Sequence, residues 1–510
     1  MTYTHNIAGK LDDVAGKFGD RVALNCGQDE SVTFTELRER SLIFASFLSG
    51  KGISKGEVIA ILNDKSPDGF AFMLGCLRIG AIYTNLDPES PPERLKRILD
   101  QCQPALVVSC FDSSEGAPVL TTLGELGMEV VPVTEAGTIG SEEQGGDFPE
   151  VTGSDPAYLM FTSGSTGYPK GAVISHGSLL NFVDWAADCF EITPDDVLTN
   201  VNPIYFDNSV FDFYASVFNG ATLAPASQAV ARDPRRLVAF VAERNCTIWF
   251  SVPSLLVYLL TTRALKSTDF PSVRKIIFGG EGFPKPKLKQ LFDLFGDRID
   301  LENVYGPTEG TCICSAHTVG ESDFEDMSIL TTLGFIAKNF GYEILPQGED
   351  ENFGELFLTG PQVGIGYFRD PERTADSFVQ NPMHNDFRDI GYRTGDLVQR
   401  DEKGHLHFKG RVDFQIKHMG YRIELEEIES ALNLLKGVRE AVALYETLGD
   451  GLGMILGYVA ADSDCSPDEL LADAARYLPP YMMPKRIAIL EVLPKNANGK
   501  IDRGALRANN

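Results

Sequence analysis

A chain of 510 residues, 43% of them hydrophobic and 23% charged, is long enough for two or more domains with sizeable cores. Its net charge of −27 argues against non-specific binding to nucleic acid or to an anionic membrane. Nine cysteines without a C-x-x-C, an N-terminus lacking a signal-peptide core and no apolar run of about 18 residues point to a cytoplasmic protein with reduced thiols, neither disulfide-built nor membrane-spanning.

Residues 21–34 read as two short strands around a polar turn at Asp29 and Glu30. Thr35 opens a predicted helix over 36–49, ended near Gly50 and Gly52. Next come a strand at 58–62, a helix over 66–79 stopped by Gly80, a helix over 91–100 and a strand at 105–110. The composition of 140–146 suggests a mobile loop. An apolar strand at 157–160 leads into 161–171, FTSGSTGYPKG, and a helix is expected over 178–190. Helices at 209–218, 234–244, 253–261 and 285–294 then alternate with strands at 221–224, 247–251, 273–278 and 300–304. Repeated β–α units argue for an α/β fold of parallel sheets covered by helices. After about residue 330 the chain is richer in glycine, with short strands such as 355–359 and 405–409, suggesting a smaller β-rich subdomain. A junction at 410–420 precedes a helix (424–435), strands near 438–446 and 455–461, a helix (467–477) and a strand near 486–491. That is about 100 residues of α+β, enough for a separate lobe.

The chemistry concentrates in a few blocks. Strand, Gly/Ser/Thr loop, helix is an arrangement that presents backbone N–H groups and hydroxyls to phosphate oxygens, and Lys170 adds a point charge. The P-loop pattern G-x-x-x-x-G-K-[ST] does not fit, and a Gly/Ser-rich turn by itself is equally compatible with no ligand. Residues 303–309, NVYGPTE, follow a predicted strand, where ligands bind in an open parallel sheet. There Tyr305 can stack on a base, Asn303 can read an amino group, Thr308 can reach a phosphate and Glu309 can hold Mg²⁺. A Gly-Pro turn with a solvated glutamate is the plainer alternative. Asp207, between Phe206 and Asn208, reads as a helix cap.

The spelling of the 161–171 loop, followed in order by NVYGPTE, by 392–396 (YRTGD) and by 493–503 (LPKNANGKIDR), resembles the adenylate-forming superfamily over roughly residues 10–507. Within it the chain looks like the amino-acid adenylation domains of non-ribosomal peptide synthetases and the stand-alone D-alanine–carrier-protein ligases. The resemblance implies a large N-terminal core, 1–412, and a mobile C-terminal lobe, 413–510, hinged at Asp413. It implies ATP and Mg²⁺ as cofactors, with Thr162, Ser163, Gly164, Ser165, Thr166, Gly167 and Lys170 on the phosphates. Asn303, Tyr305, Gly306 and Thr308 would hold the nucleotide, Asp396 and Arg411 its ribose, and Glu309 the metal. Lys500 would bridge the substrate carboxylate and ATP, acting with Thr162 and Lys170 in catalysis.

Asp207 matches the aspartate that pairs with the α-ammonium in the amino-acid-activating branch. The implied pocket is lined by Asn208, Phe211, Phe250, Ile277, Gly279, Val304, Cys312 and Ile313. None is charged, so a neutral, mostly apolar amino acid is expected. The D-alanine ligases carry cysteine where Gly279 stands, so glycine is expected to leave room for a side chain larger than alanine's, such as that of proline or valine. No G-x-D-S-[LI] carrier motif occurs, so the thiol acceptor is expected on a separate phosphopantetheinylated carrier protein. Rival readings are a D-alanine–carrier-protein ligase, an acyl- or aryl-CoA ligase, and a nucleotide-binding regulator without turnover. Lys170, Glu309, Asp396 and Lys500 together argue against the last.

Overall fold

In a computed structural model the described residues are 4–27, 30–111, 117–136, 148–164, 168–447, 453–462, 465–495 and 501–508. The loop expected at 140–146 lies outside them. The chain divides into two compact units. One comprises Met1–Pro88, Cys102–Phe161 and Gly171–Val412; the other comprises Glu89–Gln101, Thr162–Lys170 and Asp413–Asn510.

Among the described residues, two large sheets of nine and seven strands dominate the first unit. The centre of the nine-stranded sheet is parallel: Asp300–Tyr305, Lys275–Gly279, Ile248–Ser251, Val197–Asn200, Thr222–Pro225 and Val22–Asn25 lie side by side in that order. Antiparallel strands close both edges. The alternation along each strand explains the layering. Ile248, Phe250 and Ile277 enter a core cluster that also takes Ile59, Ile61 and Tyr83 from the seven-stranded sheet. Trp249, Ile276 and Phe278, on the opposite face, pack into a separate cluster with the helices Pro234–Glu243, Pro253–Thr261 and Lys285–Phe295. Strands buried on both faces read as continuous apolar runs, which is how they appear in the sequence. A five-stranded antiparallel sheet follows, with Ile390–Arg400 pairing with both Phe353–Thr359 and Leu406–Arg411.

In the second unit, the hairpin Gln415–His418 and Tyr421–Glu424 runs into the helix Leu425–Asn433. That helix packs with a three-stranded sheet of Val438–Thr447, Gly453–Ala461 and Arg486–Leu490.

Three local expectations change. The helix Phe34–Gly50 is capped by Thr33, not opened by Thr35: the Thr33 hydroxyl accepts from the Glu36 N–H, while the Glu36 carboxylate accepts from the Thr33 N–H at 2.8 Å. The 161–171 loop joins a strand, Pro156–Thr162, to another strand, Lys170–Ser175, and the helix His176–Phe190 starts only after it. The run Ala172, Val173, Ile174 favours a buried strand where the sequence reading passed directly to a helix. The helix expected over 209–218 is a single α turn, Asn208–Val210, followed by a π-helical turn, Phe211–Ala215.

Candidate active site

The C-terminal ends of three neighbouring parallel strands deliver Phe250, Ile277, Gly279, Asn303, Val304 and Tyr305 to one edge of the nine-stranded sheet. Opposite them, the short helix from Asn208 and the π turn deliver Phe211, whose ring meets that of Phe250 edge-on at 5.0 Å between centroids. Phe211, Phe250, Ile277, Val304, Cys312 and Ile313 are all buried in one cluster. Asp207 stands beside this apolar group, where its Oδ2 accepts the Thr308 hydroxyl at 2.5 Å. Asn208 brings a buried Nδ2 that has no hydrogen-bond partner among the described residues.

Gly279 does not open space. A Cβ placed there would lie 2.5 Å from the Val304 carbonyl oxygen and 2.6 Å from Val304 Cγ2. The glycine permits close approach of Val304, so the extra room expected from the missing side chain is already filled.

The sequence reading missed two parts of this region. Tyr158 is fully buried, and its hydroxyl has no hydrogen-bond partner among the described residues. Burial pushes that hydroxyl well above its ordinary pKa, with the charges of Tyr83, Cys312 and Asp207 adding to the shift. Its only signal in the sequence is a tyrosine inside an apolar strand. The second part is a buried polar group behind the π turn. Asp212 Oδ2 accepts from Asn200 Nδ2 at 2.8 Å and from Asn202 Nδ2 at 3.0 Å, and Asn202 also donates to the Phe250 carbonyl at 3.1 Å. Lys65 Nζ donates to the carbonyls of Asn200 and Ala226. Burial raises Asp212 to about 7 and lowers Lys65 to about 8. Lys65 is 135 positions from Asn200, and the group follows no spacing rule.

A second constellation joins the end of Asp300–Tyr305 to the paired strands Ile390–Arg400 and Leu406–Arg411. Tyr305 donates its hydroxyl to Asp396 Oδ2 at 2.6 Å, and the Arg411 guanidinium pairs with Asp396 Oδ1. The carboxylate is thus oriented by two groups, one of them cationic. Asn303 Nδ2 donates to the Thr332 carbonyl at 2.8 Å. Glu309 is fully buried, and its Oε1 accepts the Tyr367 hydroxyl at 2.7 Å. Gly306 is required by close approach, because a Cβ there would lie 2.3 Å from the Cys312 carbonyl oxygen.

Within the second unit, the described loop residues assigned to phosphate meet the segment 422–427. Ser163 Oγ donates to the Arg422 carbonyl at 2.7 Å and accepts from the Glu424 N–H at 3.0 Å. The Gly164 N–H points at Glu427 Oε2, and Lys170 Nζ lies 3.7 Å from Glu424 Oε1. Glu427 pairs in turn with Arg94, both of them buried. Thr162 Oγ1 is buried without a hydrogen-bond partner among the described residues. Asp413 Oδ1 accepts the Gln415 N–H at 3.2 Å at the entrance to the hairpin. Ser165, Thr166, Gly167 and Lys500 lie outside the described residues.

A buried hydroxyl lacking a partner at Thr162 and donors at Ser163, Gly164 and Lys170 suit the anionic phosphates of ATP. A hard carboxylate at Glu309, steadied by Tyr367, suits Mg²⁺, which binds through one or two carboxylates and substrate phosphates. Among the described residues no group of three His, Cys, Asp or Glu is set to cage a metal by itself, and no helix is long and apolar enough to cross a membrane.

Comparison with known proteins gives the family. The AMP-binding enzyme family matches residues 11–368, and its C-terminal domain family matches 427–500. An L-proline–[L-prolyl-carrier protein] ligase of Pseudomonas fluorescens is 33% identical over 492 residues, covering 94% of each chain. Tyrocidine synthase 3 of Brevibacillus parabrevis is 32% identical over 97% of this chain, which spans only 8% of that synthase. A solved structure of an NRPS protein containing adenylation and PCP domains, bound to a vinylsulfonamide inhibitor, has the same fold, with a TM-score of 0.85 at 24% identity over 99% of this chain and 85% of that one. The chain therefore belongs to the AMP-binding enzyme family of the adenylate-forming superfamily, and is an AMP-forming ligase of the amino-acid adenylation type.

Proposed function

We propose that this ligase joins a neutral, mostly apolar amino acid larger than alanine to AMP, releasing pyrophosphate, and then passes the aminoacyl group to the phosphopantetheine thiol of a separate carrier protein. The observation that carries this reading is Asp207. One carboxylate, held by Thr308, stands at the edge of an otherwise apolar cluster. Such a site favours an ammonium group on the substrate and penalises a plain acid, which would leave the carboxylate desolvated and unpaired. The lack of charge on the lining residues disfavours Asp, Glu, Lys and Arg as substrates for the same reason. A side chain of proline or valine size is supported by the proline named for the similar Pseudomonas ligase, no longer by Gly279.

In the first half-reaction a substrate carboxylate oxygen attacks the α-phosphorus of ATP, so catalysis is chiefly positioning and charge neutralisation. Thr162, Ser163, Gly164, Ser165, Thr166, Gly167 and Lys170 would hold the phosphates. Asn303, Tyr305, Gly306 and Thr308 would hold the nucleotide, Asp396 and Arg411 would orient the ribose hydroxyls, and Glu309 would hold Mg²⁺. Lys500 would offset charge where two anions approach. The segment 413–510 would act as a mobile lobe turning about Asp413 between the half-reactions.

The test is pyrophosphate exchange with the full chain across amino acids and their des-amino counterparts, followed by thioester formation on a phosphopantetheinylated carrier. Exchange should be strongest with a neutral apolar amino acid and negligible with its des-amino acid. A plain acid as best substrate, with coenzyme A as acceptor, would replace this reading with that of an acyl-CoA ligase.

A further inference from the structure

Thr311 and Cys312 are adjacent non-glycine residues that both hold left-handed backbone, with φ of 58° and 74°. L-residues adopt this conformation singly and rarely, and a consecutive pair persists only where the surroundings enforce it. The enforcing group is the side chain of Gln362, which is fully buried. Its Nε2 donates to the Ile313 carbonyl at 2.7 Å and to the Gly310 carbonyl at 3.1 Å. Its Oε1 accepts from Asn339 Nδ2 at 2.8 Å, which fixes the direction of the amide. Its own backbone carbonyl accepts the Thr311 hydroxyl at 2.6 Å. Two residues on, the Gly364 N–H donates to the Glu309 carbonyl at 2.7 Å. The loop 309–313 is thus pinned along its length from one side, while Gly306 packs against its other side.

The pinned loop carries Cys312 and Ile313, whose side chains are buried in the cluster with Phe211 and Phe250. Releasing the amide would let the pair relax towards ordinary φ, and that relaxation swings both side chains relative to the strand ends they face. We propose that Gln362 is a specificity-determining positioning residue: its buried amide holds the left-handed pair Thr311–Cys312 and so fixes the Cys312–Ile313 wall of the substrate pocket. The inference rests on reading that pocket as the amino-acid site. Asn339 acts one step further back, by orienting the amide.

The experiment uses the full chain with Gln362→Glu, which removes the amide donor at nearly constant shape, and the milder Asn339→Ala. Pyrophosphate exchange is measured for the best amino acid and for homologues one methylene smaller and larger, together with the KM for ATP. The ratio of kcat/KM between best substrate and homologues should fall about tenfold in Gln362→Glu and a few-fold in Asn339→Ala, with the ATP KM held within about twofold. Equal loss for all three substrates with the ratio intact would reduce Gln362 to a purely structural role and overturn the proposal, as would unchanged ratios in both variants. If Gln362→Glu does not fold, the ratio in Asn339→Ala decides. If the wild type activates plain acids instead, the amino-acid reading falls, and the same ratio among homologous acids decides the clamp separately.

Discussion

Asp207 accepts the Thr308 hydroxyl at 2.5 Å, which orients its carboxylate. Asp207→Ala should cost several kcal/mol of transition-state stabilisation for the amino acid, read from kcat/KM, as expected when a buried ammonium loses its counter-charge. Equal turnover of the amino acid and its des-amino acid by the wild type would contradict that role. His176 shows a second single-residue effect. It is fully buried, and its Nδ1 accepts the Ile7 N–H at 3.3 Å. Burial lowers its pKa to about 4, so the folded chain holds it neutral while the unfolded chain protonates it near 6.5. Its contribution to stability is full above pH 6.5 and is lost as pH falls from 6.5 to 4, a change of about 3 kcal/mol. Denaturant unfolding of wild type and His176→Gln at pH 7 and pH 4 should show the gap between them shifting by that order against the wild type. A gap constant with pH would show that His176 titrates normally.

At the scale of elements, the π turn Phe211–Ala215 shows how a short segment serves the pocket. It sends Phe211 towards Phe250 and Asp212 towards Asn200 and Asn202, and Asn202 ties back to the Phe250 carbonyl. One buried carboxylate thereby links the two segments whose rings meet. The junction at Asp413 is an element of another kind. Its side chain accepts the Gln415 N–H, and it lies between the strands Leu406–Arg411 and Gln415–His418. Asp413→Pro, which locks φ near −65°, should leave pyrophosphate exchange within a few-fold of wild type and cut thioester formation by at least about tenfold. Parallel loss of both half-reactions would remove Asp413 as the hinge.

For the whole molecule, the prediction concerns Lys500. Lys500→Ala should lower kcat of exchange by about a hundredfold or more with little change in the ATP KM, while transfer from a preformed aminoacyl-adenylate stays near wild type. Wild-type exchange in the variant would end its catalytic assignment. The second compact unit adds a structural observation. It gathers residues from three separate stretches of chain, and in it Ser163, Gly164 and Lys170 meet Glu424, Glu427 and the Arg422 carbonyl. Of the groups expected to cradle phosphate, Gly164 and Lys170 meet carboxylates and Ser163 meets backbone groups of Arg422 and Glu424, and the buried Arg94 pairs with Glu427.

Much of this was legible in the chain itself. Short continuous apolar runs located strands such as Val58–Leu62, and the helix Pro253–Thr261 is read at its observed limits, because local propensity and burial agree there. The order of the motif blocks carried the family, since each block needs particular residue types at fixed spacing. Other features follow from packing between segments remote in sequence, which spacing does not encode. Ala172, Val173 and Ile174 form a strand because the seven-stranded sheet receives them between Pro156–Thr162 and Gly366–Tyr367. Gly279 leaves no spare volume because Val304, on the neighbouring strand, closes over it. The Lys65–Asp212 group and the Gln362 clamp join residues tens to well over a hundred positions apart, and their hydrogen bonds form only when tertiary burial removes water as the competing partner.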